Sequence, residues 1–415
     1  MNLQIKFFKR YYLFTILTYP FRKIKNIILE LPIIFLIFLP DKTKYNIAKL
    51  ILINHPVVKY FKNIEIDKTV MLISNNIHTR HKRIADGIIL NNWEPIIVSV
   101  IKPENSVDYK YFNAKNRFQL YLIFILFPGK LVHYFAAIGS EAFYFTKLKN
   151  NFIILDIYDT VSGIQNADPI LKYREKYSIQ HSKAICHRDL RIKYLKNSYN
   201  YKLPNYNILI PDFIDKISVS REKNNHEIHV VSVGSIGVEG DDDMIYRISK
   251  ILCDQKIHVH IFEPRFTFNE PKTRMYKNLS ETNSFFHIEK PLYGNAFKEK
   301  LSTYDFGLNI YEPFLFNEIP KQYTIDYLRG CGSSRLSDYI ELGLGTIVTP
   351  GFEFQTFLAK RYSSKCVLAD DVFLDNPLKI LESKLHRNNN INIKFMSKEN
   401  VSRRLHIFYS KILQN

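Results

Sequence analysis

The chain has 415 residues, too many for one ordinary core and enough for two domains of the usual size. Its 46% hydrophobic and 24% charged content excludes an intrinsically disordered protein. Four widely spaced cysteines with no CxxC pair exclude a disulfide framework and a thiolate zinc site, and fit a reducing compartment. The formal charge of +18 calls for an anionic partner, although part of the excess accompanies a composition rich in Lys, Asn, Ile and Tyr together. No zinc-finger, helix-turn-helix or RNP-like pattern accompanies it, so a lipid surface or an anionic small substrate is expected rather than nucleic acid.

Residues 1–62 form the first segment. Lys6, Lys9, Arg10, Arg22, Lys23 and Lys25 stand against one acid, Glu30, and alternate with Phe7, Phe8, Tyr11, Tyr12, Phe14, Tyr19 and Phe21. The apolar run from Ile27 to Leu39 is broken by Glu30 and Pro32. It falls short of the roughly 20 apolar residues of a spanning helix, and no small-residue cleavage site follows it. An in-plane helical segment on an anionic membrane surface is the leading expectation, with a buried core helix or a single span as alternatives.

From Thr69 the pattern alternates between strand and helix. TVMLIS (69–74), EPIIVSV (94–100), KLVHYFAAI (130–138), NFIILDIYD (151–159), SKAICHRD (182–189) and YNILIPDF (206–213) read as buried strands, with helices over 80–90 and 141–148. LYLIFILF (120–127) is apolar throughout and is read as another buried run, which also suits an apolar acceptor. A polar linker, 214–227, separates this domain (63–213) from a second (228–395). There the rhythm restarts with IHVVSVGSIG (228–237), IHVHIFEP (257–264), SFFHIEKP (284–291) and FGLNIYEP (306–313). The last segment (396–415) has helical spacing at Val401, Leu405, Phe408 and Ile412 and is expected to cross back to the first domain. Near-continuous apolar strands separated by helices imply parallel sheets covered on both faces. The expected fold is therefore α/β, with two doubly wound Rossmann-like domains facing a central cleft, where ligands of such sheets bind.

The stretch CGSSRLSDYIELGLGTIV (331–348) carries the clearest chemistry. Gly332, Ser333 and Ser334 precede a helix whose apolar positions are Leu336, Tyr339 and Ile340. Ser334 suits an N-cap, and small residues there admit a ligand to the backbone amides. A helix N-terminus favours a phosphate, and the planar guanidinium of Arg335 matches two phosphate oxygens. Asp338 lies four residues past Ser334, about 5–6 Å along the helix axis, the offset from a diphosphate to a ribose. From spacing alone the stretch is either a capped surface helix or a phosphate seat.

SSRLSDYIELGLGTIV resembles the nucleotide-sugar signature of GT-B glycosyltransferases, in which an acidic residue five positions before a glycine grips the donor ribose. FFHIEKPLYGNAFKEKLSTYDFGLNIY is similar to the segment that precedes it, and IILDIYDT and SKAICHRD to late strands of the first domain. The resemblance implies that Asp338 takes the ribose, that Gly332, Ser333, Ser334 and Arg335 line the diphosphate, and that Lys290 approaches the base. Gly234, in the loop after the second domain's first strand, suits close approach, although acids at Glu239 and Asp241 to Asp243 follow it. Asp159, after a buried strand, is the catalytic candidate, either as general base or as an orienting contact; Asp156, inside that strand, is read as structural. His78, Arg80 and Arg265 are candidates for acceptor or phosphate contact.

No HExxH-like spacing points to a metal, and no GxGxxG to a dinucleotide, so no cofactor is expected. The implied activity is transfer of a sugar from a nucleotide-sugar donor to a lipid-linked or surface-glycan acceptor at the cytosolic membrane face. Two alternatives share the architecture: a nucleotide-sugar epimerase, and a catalytically degenerate membrane scaffold, which Gly330 would suit because the family often has an acid there.

Overall fold

A computed structural model describes residues 30–77, 79–102, 109–148, 153–212, 227–234, 244–262, 271–292, 294–310, 323–363, 365–385 and 395–414. The basic and aromatic residues from Lys6 to Lys25, His78, the 214–226 linker, the acids at 239–243 and Arg265 lie outside them.

The first domain opens with three helices, α1 (30–38), α2 (Asp41–Ile51) and α3 (Pro56–Phe61). There follow β1 (Thr69–Ser74), α4 (Thr79–Ile89), β2 (Glu94–Ser99), β3 (Lys110–Asn113), α5 (Arg117–Leu126), β4 (Leu131–Ile138), α6 (Phe143–Leu148), β5 (Ile153–Asp159), α7 (Pro169–His181), β6 (Ala184–His187), α8 (Arg191–Ser198) and β7 (Tyr206–Leu209). All seven strands are parallel, in the order β3-β2-β1-β4-β5-β6-β7.

Because successive strand residues face opposite sides, β1 feeds two cores. Met71 and Ile73 pack beneath α1, α2 and α5, while Val70 and Leu72 pack beneath α4 and the C-terminal helix. Both faces are thereby covered, which explains why TVMLIS is buried along its whole length.

Two sequence expectations change here. LYLIFILF is a helix, not a strand: Asn116 caps α5 by accepting a hydrogen bond from the Gln119 amide, and Leu120, Ile123 and Phe124 are fully buried. An apolar run of eight fits either a strand or a buried helix, so periodicity does not separate them. This run is core: its side chains pack into the first domain.

The residues around Glu30 also join the domain body. Ile33 and Leu36 enter the first core, and Glu30 binds Arg174 bidentately at 3.0 Å. The opposite stripe of α1, Leu31, Phe35 and Phe38, is 53%, 64% and 82% exposed. Among the described residues no helix is long and apolar enough to cross a membrane.

The second domain contains β8 (His229–Val233), α9 (Met244–Asp254), β9 (His258–Phe262), α10 (Pro271–Thr282), β10 (Phe286–Glu289), α11 (Gly294–Leu301), β11 (Phe306–Asn309), α12 (Ile325–Gly330), α13 (Ser334–Glu341), β12 (Gly345–Val348), α14 (Glu353–Tyr362), β13 (Cys366–Leu368), α15 (Asp371–Asp375) and α16 (Pro377–Leu385). Its six parallel strands run β10-β9-β8-β11-β12-β13. The strand order of each domain reverses once, between β1 and β4 and between β8 and β11. Such a switch point opens a crevice at the carboxyl ends of the strands.

α17 (Lys398–Leu413) follows the second domain and returns to the first. Val401, Leu405, Phe408 and Ile412 pack with Ile84, Ala85 and Ile88 of α4. Its Tyr409 also makes a 2.7 Å hydrogen bond with His133 Nδ1 of β4, so the last helix completes the second core of the first domain.

Candidate functional site

The carboxyl ends of the two sheets meet in a cavity of about 200 Å³, lined on one side by Asp159, Arg188 and Arg191 and on the other by Asn309, Tyr327, Ser333 and Arg335. Three of them reach it because a strand ends there: Asp159 ends β5, Arg188 follows β6, and Asn309 ends β11. The volume is below the ~300–1,000 Å³ usual for a small-molecule site. As it stands the cavity suits a diphosphate or a single sugar, not a whole nucleotide sugar.

On the second-domain side, Gly234 has φ of +101°, a conformation that favours glycine. A side chain there would meet Arg335, whose Nε and Cζ would lie 3.2 and 3.3 Å from its Cβ. The bare glycine thus lets the guanidinium lie against the end of β8. Among the described residues Arg335 forms no ion pair, which sets it apart from the other arginines of the cavity.

Ser333, not Ser334, occupies the N-cap position of α13, and it makes no capping hydrogen bond. Its hydroxyl donates instead to Asn309 Oδ1 at 3.0 Å. The first turn of α13 is therefore left without a side-chain cap, beside Arg335.

On the first-domain side Arg191 is a hub. It binds Asp189 through Nε and Nη2, with the shortest contact 2.6 Å, and reaches Asp159 through Nη1 at 2.5 Å. The same Nη1 donates to Tyr327 Oη at 2.8 Å, and Tyr327 in turn donates to Asp159 Oδ1 at 2.6 Å. Burial alone would raise the Asp159 carboxyl, but Arg191 and the Tyr327 hydroxyl hold it below the usual carboxylate range. Its side chain is still 57% exposed. Asp159 thus presents to the cavity a carboxylate that Arg191 and Tyr327 hold in its ionised form.

The domains are pinned together around this cavity. The Gly332 amide donates to Asp189 Oδ2 at 2.9 Å, the Leu190 amide to the Gly330 carbonyl at 3.0 Å, and Ser337 Oγ to the Asp212 carbonyl at 3.1 Å. One helical turn beyond Arg335, Asp338 accepts from Arg83 Nη2 at 2.9 Å, and Glu341 lies 3.7 Å from the same nitrogen.

Burial pushes the Asp338 carboxyl up to about 6; Arg83 opposes the rise, and the carboxylates of Glu341 and Asp212 reinforce it. The unfolded value is about 4, so between pH ~4 and ~6 the folded chain keeps a proton that the unfolded chain releases. This contribution to stability is present below about pH 4 and is lost as pH rises through about 6. Relative to Asp338→Asn, the wild type should lose ~1–2 kcal/mol of stability across that window, allowing for solvent at a group one-third exposed. Urea unfolding of both proteins on either side of the window measures the difference.

The structure brings Asp159, Gly332, Ser333 and Arg335 to one cavity, with Gly234 directly behind Arg335 and Asp338 one turn away. Ser334 and Lys290 are exposed and do not line it. Arg80 is corrected: it is no acceptor or phosphate contact. Only 1% of its side chain is exposed, and its Nε lies 2.9 Å from both oxygens of Asp156, with Nη1 on the Ile210 carbonyl at 2.8 Å. A guanidinium so buried and paired is unavailable to a ligand. Asp156 is structural, as its position inside β5 implies.

Sequence reasoning missed Arg188, Arg191, Asp189, Asn309 and Tyr327. A signal was present: HRDLR (187–191) sets alternating charges at the carboxyl end of the apolar strand AIC, the edge where parallel sheets bind ligands.

No protein-family model matches the sequence, and no curated protein matches it. Solved structures do match it in shape. A sucrose-phosphate synthase from Thermosynechococcus elongatus aligns with 84% of this chain and 99% of its own, at 9% identity and a TM-score of 0.56. A glycosyltransferase from Rickettsia africae aligns with 84% of this chain and 99% of its own, at 14% identity and a TM-score of 0.53. The Anabaena protein HepE, in complex with UDP and glucose, aligns with 83% of this chain and 100% of its own, at 6% identity and a TM-score of 0.56. At these identities the likeness is one of fold, and it agrees with the two reversed strand orders and the cleft between them: the chain has the GT-B fold.

Proposed function

We propose that the protein is a glycosyltransferase that moves a sugar from a nucleoside-diphosphate donor to a hydroxyl of a lipid-linked or surface-glycan acceptor. The observation that carries this reading is Arg335, without an ion pair among the described residues, lying on Gly234 at the switch point of the second sheet and facing Asp159 across one cavity. The acceptor oxygen attacks the anomeric carbon as its bond to the diphosphate oxygen breaks. The diphosphate leaves with the electron pair, and the proton of the acceptor hydroxyl passes to the departing diphosphate. Arg335 and the uncapped first turn of α13 stabilise the charge that develops on the leaving group. Asp159, ionised by Arg191 and Tyr327, accepts a hydrogen bond from the acceptor hydroxyl and orients it. Asp338 takes the ribose with the oxygen that Arg83 does not use. The nucleotide sugar is a substrate, and the reading invokes no cofactor.

The proposed acceptor lies at the cytosolic face of a membrane, with the protein held peripherally. The exposed stripe of Leu31, Phe35 and Phe38 supports this, directly following a segment of the chain rich in Lys, Arg and aromatic residues. One protein of this fold binds UDP and glucose, and a donor of that class is the natural first candidate.

The test is a panel of UDP-, GDP- and dTDP-sugars incubated with the purified chain, with and without extracted lipid-linked glycans. Release of a nucleoside diphosphate that rises with acceptor is expected. Failure of every donor to bind or turn over would overturn the reading, and conversion of a donor to its epimer without acceptor would replace it with an epimerase.

A further inference from the structure

Away from the cleft, at the opposite edge of the second sheet, three neighbouring strands present the alternations Glu227-x-His229, His258-x-His260 and His287-x-Glu289. Register places His229 opposite His258 and His260 opposite His287, so the four histidines and Glu289 project from one face of the sheet, and Glu227, just before β8, reaches His258 on that face. Ligand atoms of Glu227, His229 and His258 all lie within 4.8 Å of one another. Glu227 Oε2 is 3.2 Å from His258 Nε2, an atom that is buried yet makes no hydrogen bond among the described residues. Bonds of about 2.0–2.1 Å in tetrahedral geometry put neighbouring ligand atoms ~3.3 Å apart, so this contact has the length of one edge of a metal site.

We infer that Glu227, His229 and His258 bind a divalent transition-metal ion of the zinc type. The surroundings supply the outer contacts that such ligands need. His229 Nδ1 lies 2.9 Å from His260 Nε2, and His260 Nδ1 lies 2.8 Å from Glu289 Oε1, a relay that ends on a carboxylate. His258 Nδ1 lies 2.8 Å from His287 Nε2. Each ligand imidazole thereby has its other nitrogen engaged, which fixes the ring and its tautomer. Glu227 is 59% exposed, leaving a fourth position open to water.

Among the described residues the other convergent set, His133, Asp156 and Cys186, is fully buried and already neutralised by Arg80, so a cation has no place there. His229 and His258 open β8 and β9, at the end of the strands away from Gly234, so the ion clamps two strands and takes no part in transfer. The ligands come from adjacent strands about 30 residues apart, which is why no helical ligand spacing announces them.

Equilibrium dialysis of the tag-free full chain against Zn²⁺, with metal analysis, tests the site, and the visible absorption of bound Co²⁺ reports its geometry. One Zn²⁺ per chain and a Zn²⁺-dependent rise in Tm are expected. Glu227→Gln and His258→Gln should each lose at least tenfold in affinity, and Glu289→Gln, which touches no metal, roughly 10–100-fold. If His258→Gln does not fold, Glu227→Gln decides, because that side chain is mostly in solvent. No Zn²⁺ bound by the wild type, or equal binding by the wild type and Glu227→Gln, would overturn the site and leave the nucleotide-sugar reading untouched.

Discussion

Arg335→Ala is expected to lower kcat by about 10²-fold and to leave the fold intact. Removing a single preorganised donor from a developing anion typically costs ~10²–10³-fold in rate, and Arg335 presents two nitrogens to the proposed diphosphate. Because it forms no ion pair among the described residues and lies against Gly234, its loss strands no buried partner. The change in stability should therefore stay near the ~0.5 kcal/mol of an ordinary surface substitution. Steady-state kinetics with the active donor, beside a melting curve, separates the two effects. The same truncation at Arg191 would behave differently, since Arg191 holds Asp159, Asp189 and Tyr327 together across the domain interface. A modest kinetic loss with a large fall in Tm at Arg335 would make it a structural residue and remove the phosphate seat.

Asp156→Asn carries the largest expected effect on stability. Asp156 is fully buried, with Arg80 on one side and His133 Nε2 at 3.2 Å on the other. Arg80 and His133 outweigh the effect of burial and hold its carboxyl well below the usual range. Asp212, shared by Arg188, Arg80 and Arg83, is held down at about 2. Neutralising Asp156 leaves the Arg80 guanidinium buried with only part of Asp212 to balance it, at a cost of ~3–5 kcal/mol. At ~2–4 °C per kcal/mol for a domain of this size, Tm should fall by roughly 10 °C. Replacing both partners, Arg80→Met with Asp156→Leu, should recover most of the loss, because it buries no lone charge. Both carboxyls titrate lower folded than unfolded, so their stabilisation is complete above about pH 4 and is lost on acidification toward pH 2.

The strands were legible in the sequence wherever both faces are covered. TVMLIS and NFIILDIYD are continuous apolar runs because helices pack on either side of the sheet. β3 escaped notice because it is a four-residue edge strand with one buried side chain, so it carries little hydrophobic pattern. LYLIFILF could not be told from a strand by composition alone, and only its Asn116 cap and tertiary packing make it α5.

In the site, the small residues before Arg335, and Asp338 one turn later, were readable from helix periodicity. What they pair with was not. The Gly332 amide goes to Asp189 and Asp338 to Arg83, contacts separated by 143 and 255 residues that no local pattern encodes. Arg80 and Arg83 stand three residues apart on α4, and only packing decides that one is sealed in the core while the other reaches the second domain.

In the proposed reading the second sheet seats a nucleoside diphosphate on Arg335 and the start of α13. Melting curves of the wild-type chain with UDP, GDP and dTDP test it most directly, since a ligand bound by the native state raises Tm by mass action, with ~2.7 kcal/mol gained at a hundredfold excess over Kd. One nucleotide should raise Tm clearly more than the others, and that rise should disappear in Arg335→Ala. A Tm unmoved by all three, or raised equally in the wild type and the variant, would contradict the account.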